Sequence, residues 1–96
     1  MKIIKTKFDG LLIIKQKKNI DNRGSLRETF SDKILKKRFC FEYFTHSNKN
    51  VLRGLHFQIK KPQSKYVNVI KGKILDCVVD LRKKSKTFGK YFKIIL

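Results

Sequence analysis

Short apolar runs recur along the whole chain, separated by Gly, Asn and Asp, and this rhythm predicts antiparallel β-structure with very little helix. Residues 11–15 read as a strand, followed by a polar turn over 19–24 and a second strand over 25–30. Ser31 or Asp32 can then cap a short helix through Arg38, with Ile34 and Leu35 inward and Lys33, Lys36 and Lys37 in water. Residues 41–47 alternate aromatic and polar side chains, and 54–59 follow after the turn Asn48-Lys49-Asn50. Pro62 interrupts the next connection. Residues 65–70 and 73–81 read as a hairpin around Lys71-Gly72, where Gly supplies the positive φ that a two-residue loop requires. Residues 88–96 form the last expected strand. Within 73–81, Leu75, Cys77, Val79 and Leu81 share one face, while Ile74, Asp76, Val78 and Asp80 share the other. Asp76 reads as an exposed answer to the many lysines, and Asp80, followed by Leu81-Arg82, as an inward polar residue. The pattern is that of an all-β fold with one short helix near 31–38.

Length confines this pattern to one core. A chain of 96 residues buries somewhat over roughly 60% of its unfolded surface, and its apolar fraction of 41% is enough to fold despite 33% charged residues. Residues 1–96 are expected to form a single partial domain, because Phe92-Lys93-Ile94-Ile95-Leu96 stops in strand-like sequence with no turn or cap. The net charge of +18 raises a nucleic-acid partner. However, Lys outnumbers Arg twenty to five, and base-edge reading favours Arg. The lysines are also spread along the chain, so the expectation is nonspecific attraction to polyanions and faster capture of an anionic substrate at low salt. Cys40 and Cys77 fit no metal or disulfide framework and are expected to be reduced core thiols. The N-terminus lacks the apolar run of a signal peptide, and no stretch nears the roughly 20 apolar residues of a membrane span. The expected location is cytoplasmic.

Candidate chemistry gathers between Asn48 and Lys65. His56 lies between Leu55 and Phe57, and by itself such a histidine is more often a satisfied core residue than a catalyst. Arg53 and Lys65 alter that reading, because cations on strand ends of an apolar scaffold need an anion or carboxylate to meet them. A base near neutrality beside two fixed cations can take a proton from carbon and hold the anion that forms. Arg53 and His56 differ in parity, so an ideal strand would send them to opposite faces; a bulge at Gly54 would reunite them. Gln58 stands where a His-x-His metal pair would need its second histidine, so no metal and no cofactor are expected.

The tracts Asp21-Asn22-Arg23-Gly24-Ser25-Leu26-Arg27-Glu28-Thr29-Phe30 and Asn50-Val51-Leu52-Arg53-Gly54-Leu55-His56-Phe57-Gln58, with the long run from Gln63 to Lys90, resemble the dTDP-4-dehydrorhamnose 3,5-epimerase family. That resemblance implies a metal-free, homodimeric enzyme of deoxysugar biosynthesis with an antiparallel jelly-roll, cupin-like β-sandwich, incomplete here at its C-terminal side. It implies that His56 removes the protons at C3 and C5, that Lys65 stabilises the enolate oxygen, and that Arg53 holds the diphosphate end. Arg23 and Glu28 would contact the nucleotide across the dimer interface, and Asp80 would orient Lys65 or His56. Tyr43 and Thr45 depart from the family's Gln-x-Asn-x-Ser pattern. The family's tyrosine acid, the carboxylate paired with its histidine and a second histidine have no counterpart in residues 1–96, so the chain alone is expected to be inactive or nearly so. A sugar-nucleotide binding module or ketoisomerase-like relative is the alternative.

Overall fold

The structure, a computed structural model, describes residues 1–96. It contains three antiparallel two-stranded sheets and one helical turn, the all-β class that the pattern of apolar runs predicts. The chain divides into two compact units, one made of Met1–Lys36 with Asn68–Leu96, the other of Lys37–Val67.

In the first unit, β1 (Lys2–Lys5) pairs with β2 (Leu12–Lys15) in the register Ile3↔Ile14 and Ile4↔Ile13. The β-branched side chains of both strands favour the extended backbone. β1 arises from an N-terminus whose apolar residues are too few to suggest a strand until β2 lies beside them. The Thr6 hydroxyl closes the connection, accepting from the Phe8 N–H at 3.1 Å and donating to the Leu11 carbonyl at 2.9 Å. This turn drives Phe8 inward to 3% exposure, with its ring centroid 6.3 Å from that of Phe92.

β3 (Lys18–Asp21) and β4 (Gly24–Arg27) form the second hairpin, with Asp21 opposite Gly24. The expected turn over 19–24 is thus shorter, because Asp21 Oδ1 accepts the Arg23 N–H at 2.9 Å and closes the chain within Asn22-Arg23. Residues 18–21 are thereby freed to pair as a strand. α1 (Asp32–Leu35) is one turn long, where a helix through Arg38 was expected. Lys36 takes a left-handed conformation (φ 50°) and donates its N–H to the Asp32 carbonyl, ending the helix. With no buried residue to hold more turns, the run of lysines beyond it stays out of the helix.

β5 (Leu75–Val79) and β6 (Tyr91–Ile95) make the third hairpin, in the register Leu75↔Ile95, Cys77↔Lys93 and Val79↔Tyr91. Its inner face carries Asp76, Val78, Phe92 and Ile94, all half-buried, whereas Leu75 and Cys77 are exposed. Asp76 is therefore not on the open face expected of it, and Cys77 is not a core thiol. The cause is Phe8, whose ring meets Phe92 and so fixes the even-numbered residues of both strands as the inner set. Cys40 is exposed as well, and both thiols are free.

The strands expected over 41–47, 54–59 and 65–70 do not form. Alternation survives locally, since Phe41 and Tyr43 stack at 6.0 Å and 20° as residues on one side of an extended segment. An extended segment becomes a strand only through ladder hydrogen bonds to a neighbour, and these segments acquire none. The Lys71-Gly72 hairpin is lost for the same reason. The Phe39 and Tyr66 rings, 6.2 Å apart, tie the two ends of the Lys37–Val67 unit together. No helix is long and apolar enough to cross a membrane.

Candidate active site

Arg53, His56 and Lys65 all belong to the Lys37–Val67 unit, and all three side chains are exposed on irregular backbone. Arg53 is held from behind. Its Nε donates to Ser47 Oγ at 2.9 Å, and its Nη2 donates to the His46 carbonyl at 3.2 Å. These two bonds span the turn at Asn50, whose φ of 65° reverses the chain, and leave the rest of the guanidinium available to an anion. Ser47 is a positioning residue; the sequence places it at the serine of the Gln-x-Asn-x-Ser pattern but gives no sign that its hydroxyl holds Arg53 across the polar turn.

Gly54 separates the cation from the base. Its φ of +109° breaks the extended path, and the β-bulge expected there does not form, since no ladder exists for a bulge to interrupt. A Cβ at Gly54 would lie 3.6 Å from the His56 backbone nitrogen and 4.0 Å from His56 Nδ1. Both are ordinary van der Waals distances, so the expected cost of Gly54→Ala, roughly 1–3 kcal/mol, comes from a positive φ that L-residues rarely adopt. Chemical denaturation measures it, and an unchanged denaturation midpoint contradicts it.

Glu42 is the sole side-chain carboxylate in this unit, and no hydrogen bond joins it to His56. The imidazole thus has no carboxylate of its own unit bonded to it to fix its tautomer. Lys65 follows Pro62 and precedes Tyr66, whose ring is anchored against Phe39. One neighbour of the ammonium is consequently pinned while the ammonium itself reaches into solvent.

Arg23 and Glu28 lie in the other unit. Arg23 occupies the tip of the β3–β4 hairpin, over an open hollow of about 410 Å³ lined by both strands. Its Nη2 meets Asp21 Oδ2 at 2.7 Å, and these Arg23 side-chain and backbone donors hold the Asp21 carboxyl below its ordinary value. Glu28 is exposed just past β4.

Asp80 is the most highly bonded carboxylate in the chain. Its side chain is 2% exposed. Oδ1 accepts from Arg82 Nε at 2.9 Å and from the Arg82 N–H at 3.0 Å. Oδ2 accepts from Arg82 Nη2 at 2.9 Å, Ser85 Oγ at 2.6 Å and Thr87 Oγ1 at 2.6 Å. The Arg82 guanidinium foremost, then the two hydroxyls, hold the carboxyl well below the usual carboxylate range. The backbone joins in, with Gly89 N–H donating to the Asp80 carbonyl at 2.8 Å and Asp80 N–H to Lys90 at 3.0 Å. The result is a stapled loop between β5 and β6. Arg82 was visible in the sequence beside Asp80, but the roles of Ser85 and Thr87 were not, although short hydroxyl donors spaced two residues apart after a strand-ending Asp are a recognisable loop signature.

A model of the dTDP-4-dehydrorhamnose 3,5-epimerase family matches residues 5–96. The chain is similar to a dTDP-4-dehydrorhamnose 3,5-epimerase of Methanothermobacter thermautotrophicus, at 46% identity over 95 residues that are 94% of this chain and 51% of that protein. It is 40% identical over 96 residues to one of Neisseria gonorrhoeae, covering 95% of this chain and 29% of that protein. It is 38% identical over 103 residues to one of Shigella flexneri, covering 100% of this chain and 57% of that protein. The chain thus spans from under a third to little over half the length of these relatives.

Proposed function

The chain belongs to the dTDP-4-dehydrorhamnose 3,5-epimerase family, and from that premise we propose that it supplies the base and cations of an epimerase acting on dTDP-4-dehydro-6-deoxyglucose, a reaction of dTDP-L-rhamnose biosynthesis. The observation that carries this reading is the segment from Ser47 to Lys65, in which a back-bonded Arg53 stands three residues from His56 inside the matched region. Protons at C3 and C5 are acidic because each lies α to the C4 ketone. His56 removes them in turn, Lys65 meets the enolate oxygen, and Arg53 takes the diphosphate. His56 keeps each proton it removes, and inversion is completed when an acid from the part of the family that these residues do not span delivers a different proton to the opposite face of the carbon. No metal or cofactor enters the scheme.

Residues 1–96 form part of one jelly-roll domain in this reading, the working enzyme is a cytoplasmic homodimer, and Arg23 and Glu28 approach the nucleotide across its interface. Nucleic acid is met only nonspecifically, through the charge of +18. Without a carboxylate to orient His56, the 96 residues alone are expected to fall at least roughly 100-fold short of the complete enzyme in general-base catalysis. A titration of this chain with dTDP tests the binding half of the proposal: NMR shifts at Arg23, Arg53 and Lys65 support it, and their absence at millimolar dTDP removes it.

Lys65→Ala in a complete enzyme should slow C3 and C5 deuterium exchange more than it weakens dTDP binding, because the enolate charge exists only near the transition state. Equal losses in the two assays would make Lys65 a substrate anchor instead.

A further inference from the structure

The loop between β5 and β6 is held together by one carboxylate and carries a cluster of cations that this carboxylate does not reach. Its backbone folds as successive turns. Ser85 N–H donates to the Arg82 carbonyl at 2.9 Å, Phe88 N–H to the Ser85 carbonyl at 3.1 Å, and Lys90 N–H to the Thr87 carbonyl at 3.0 Å. Lys83 and Lys84 thus occupy the centre of the first turn, and Lys86 lies in the second. Ser85 and Thr87 donate their hydroxyls to Asp80 and are half-buried, whereas Lys83, Lys84, Lys86 and Lys90 are all exposed. The negative charge available here goes to Arg82, which Asp80 bonds directly and Asp9 attracts more weakly. Both ion pairs of the chain are Asp–Arg pairs, so the four ammoniums have no carboxylate partner. Burial of unpaired ammoniums is strongly unfavourable, and this end of the hairpin therefore keeps its face to water whatever packs against the sheet.

We propose that this loop is a docking surface for an anionic lipid bilayer, at which Lys83, Lys84, Lys86 and Lys90 meet the headgroup phosphates. Two features favour a bilayer over a nucleic acid. The sole Arg of the loop has its Nε and Nη2 engaged by Asp80 at 2.9 Å each, which removes the forked donor that bidentate phosphate and base-edge contacts use. What remains are lysines, compact point charges that need no fixed phosphate spacing and suit a fluid sheet of headgroups. A cluster of this size is drawn to the negative surface potential of an anionic leaflet. The other dense basic run, Lys33 to Arg38, has Asp32 beside it and lies where the chain passes from one compact unit to the other, so it offers no comparably held surface.

The decisive experiment is cosedimentation of the 96-residue chain with vesicles of equimolar phosphatidylglycerol and phosphatidylcholine, against vesicles of phosphatidylcholine alone. Binding is expected to the anionic vesicles only, and is expected to weaken as added salt shortens the Debye length. Amide exchange over residues 82–90 should slow on the anionic vesicles, while that over 18–27 should not. Lys83→Gln, Lys84→Gln, Lys86→Gln and Lys90→Gln combined should lower the partition coefficient by roughly tenfold or more, with the β1–β2 amides keeping their exchange rates as the check on folding. Lys2→Gln, Lys5→Gln, Lys15→Gln and Lys17→Gln combined remove the same charge from another part of the surface and should lower it far less. Equal losses in the two variants would assign binding to the net charge of +18 and overturn the proposal, as would equal partition onto phosphatidylcholine alone. A loop variant that loses affinity for a homopolymeric RNA but not for anionic vesicles would assign the lysines to nucleic acid and overturn it as well. None of these readouts uses a sugar nucleotide, so failure here leaves the epimerase reading untouched.

Discussion

Substitution of His56 by alanine in a complete epimerase is expected to lower the rate of solvent deuterium entry at C3 and C5 by roughly 10²–10⁴-fold, the range that a positioned general base contributes. The loss should fall on both carbons together, since one imidazole serves both. Affinity for dTDP should change by no more than about twofold, because the base interacts with a carbon-bound proton and leaves the nucleotide untouched. The bound sugar's two exchange rates, followed by NMR or mass spectrometry in D₂O, separate three outcomes. Loss at both positions supports His56 as the base. Retention of the native rate at either position eliminates it for that carbon. A parallel collapse of dTDP affinity would show that the substitution had disturbed the local backbone, in which the positive-φ Gly54 lies two residues before His56.

Removal of the Asp80 carboxylate is expected to have the largest structural effect of any single change. Asp80→Ala strips five side-chain hydrogen bonds from Arg82, Ser85 and Thr87 in one step and leaves a cation and two hydroxyls without their acceptor. Protection of the Gly89 and Lys90 amides against hydrogen exchange should fall by roughly tenfold or more as the loop opens locally. The pH dependence has a defined sign. The folded-state pKa of Asp80 lies below its unfolded value, so the folded chain binds fewer protons and the stabilisation is complete above the unfolded value of about 3.9. It is lost progressively as pH falls below that value toward the depressed folded one. Native protein should therefore show a declining denaturation midpoint below about pH 4, and Asp80→Asn should flatten that decline. A decline of the same steepness in Asp80→Asn would assign acid sensitivity to other groups, with Asp21 the next candidate because Arg23 depresses it in the same direction.

What could be read from the residues follows a physical dividing line. Single strands and a locally closed turn were visible: residues 12–15 and 25–27 fall inside expected strands, and the Asp21-Asn22-Arg23-Gly24 turn lies inside an expected turn, although the strand partners β1 and β3 were not foreseen. Side-chain facing in β5 was not, because alternation gives two sets without saying which is inner, and Phe8, nearly seventy residues away in sequence, decides it. The central strands failed for a related reason. Period-two patterning in 41–47 reports a tendency to extend, while a ladder needs a second strand at hand. In the candidate site, residue types and order were legible from the Arg53-Gly54-Leu55-His56 motif. The hold of Ser47 on Arg53 was hidden, since it depends on how the Asn50 turn folds back.

The two free sulfhydryls have a practical consequence. Cys77 lies on the uncovered side of β5, directly opposite Lys93, and Cys40 lies in the other unit. Iodoacetamide labelling followed by peptide mass mapping thus gives two clocks within one molecule, Cys77 reporting the accessibility of β5 and Cys40 that of the Lys37–Val67 unit, without any engineered probe.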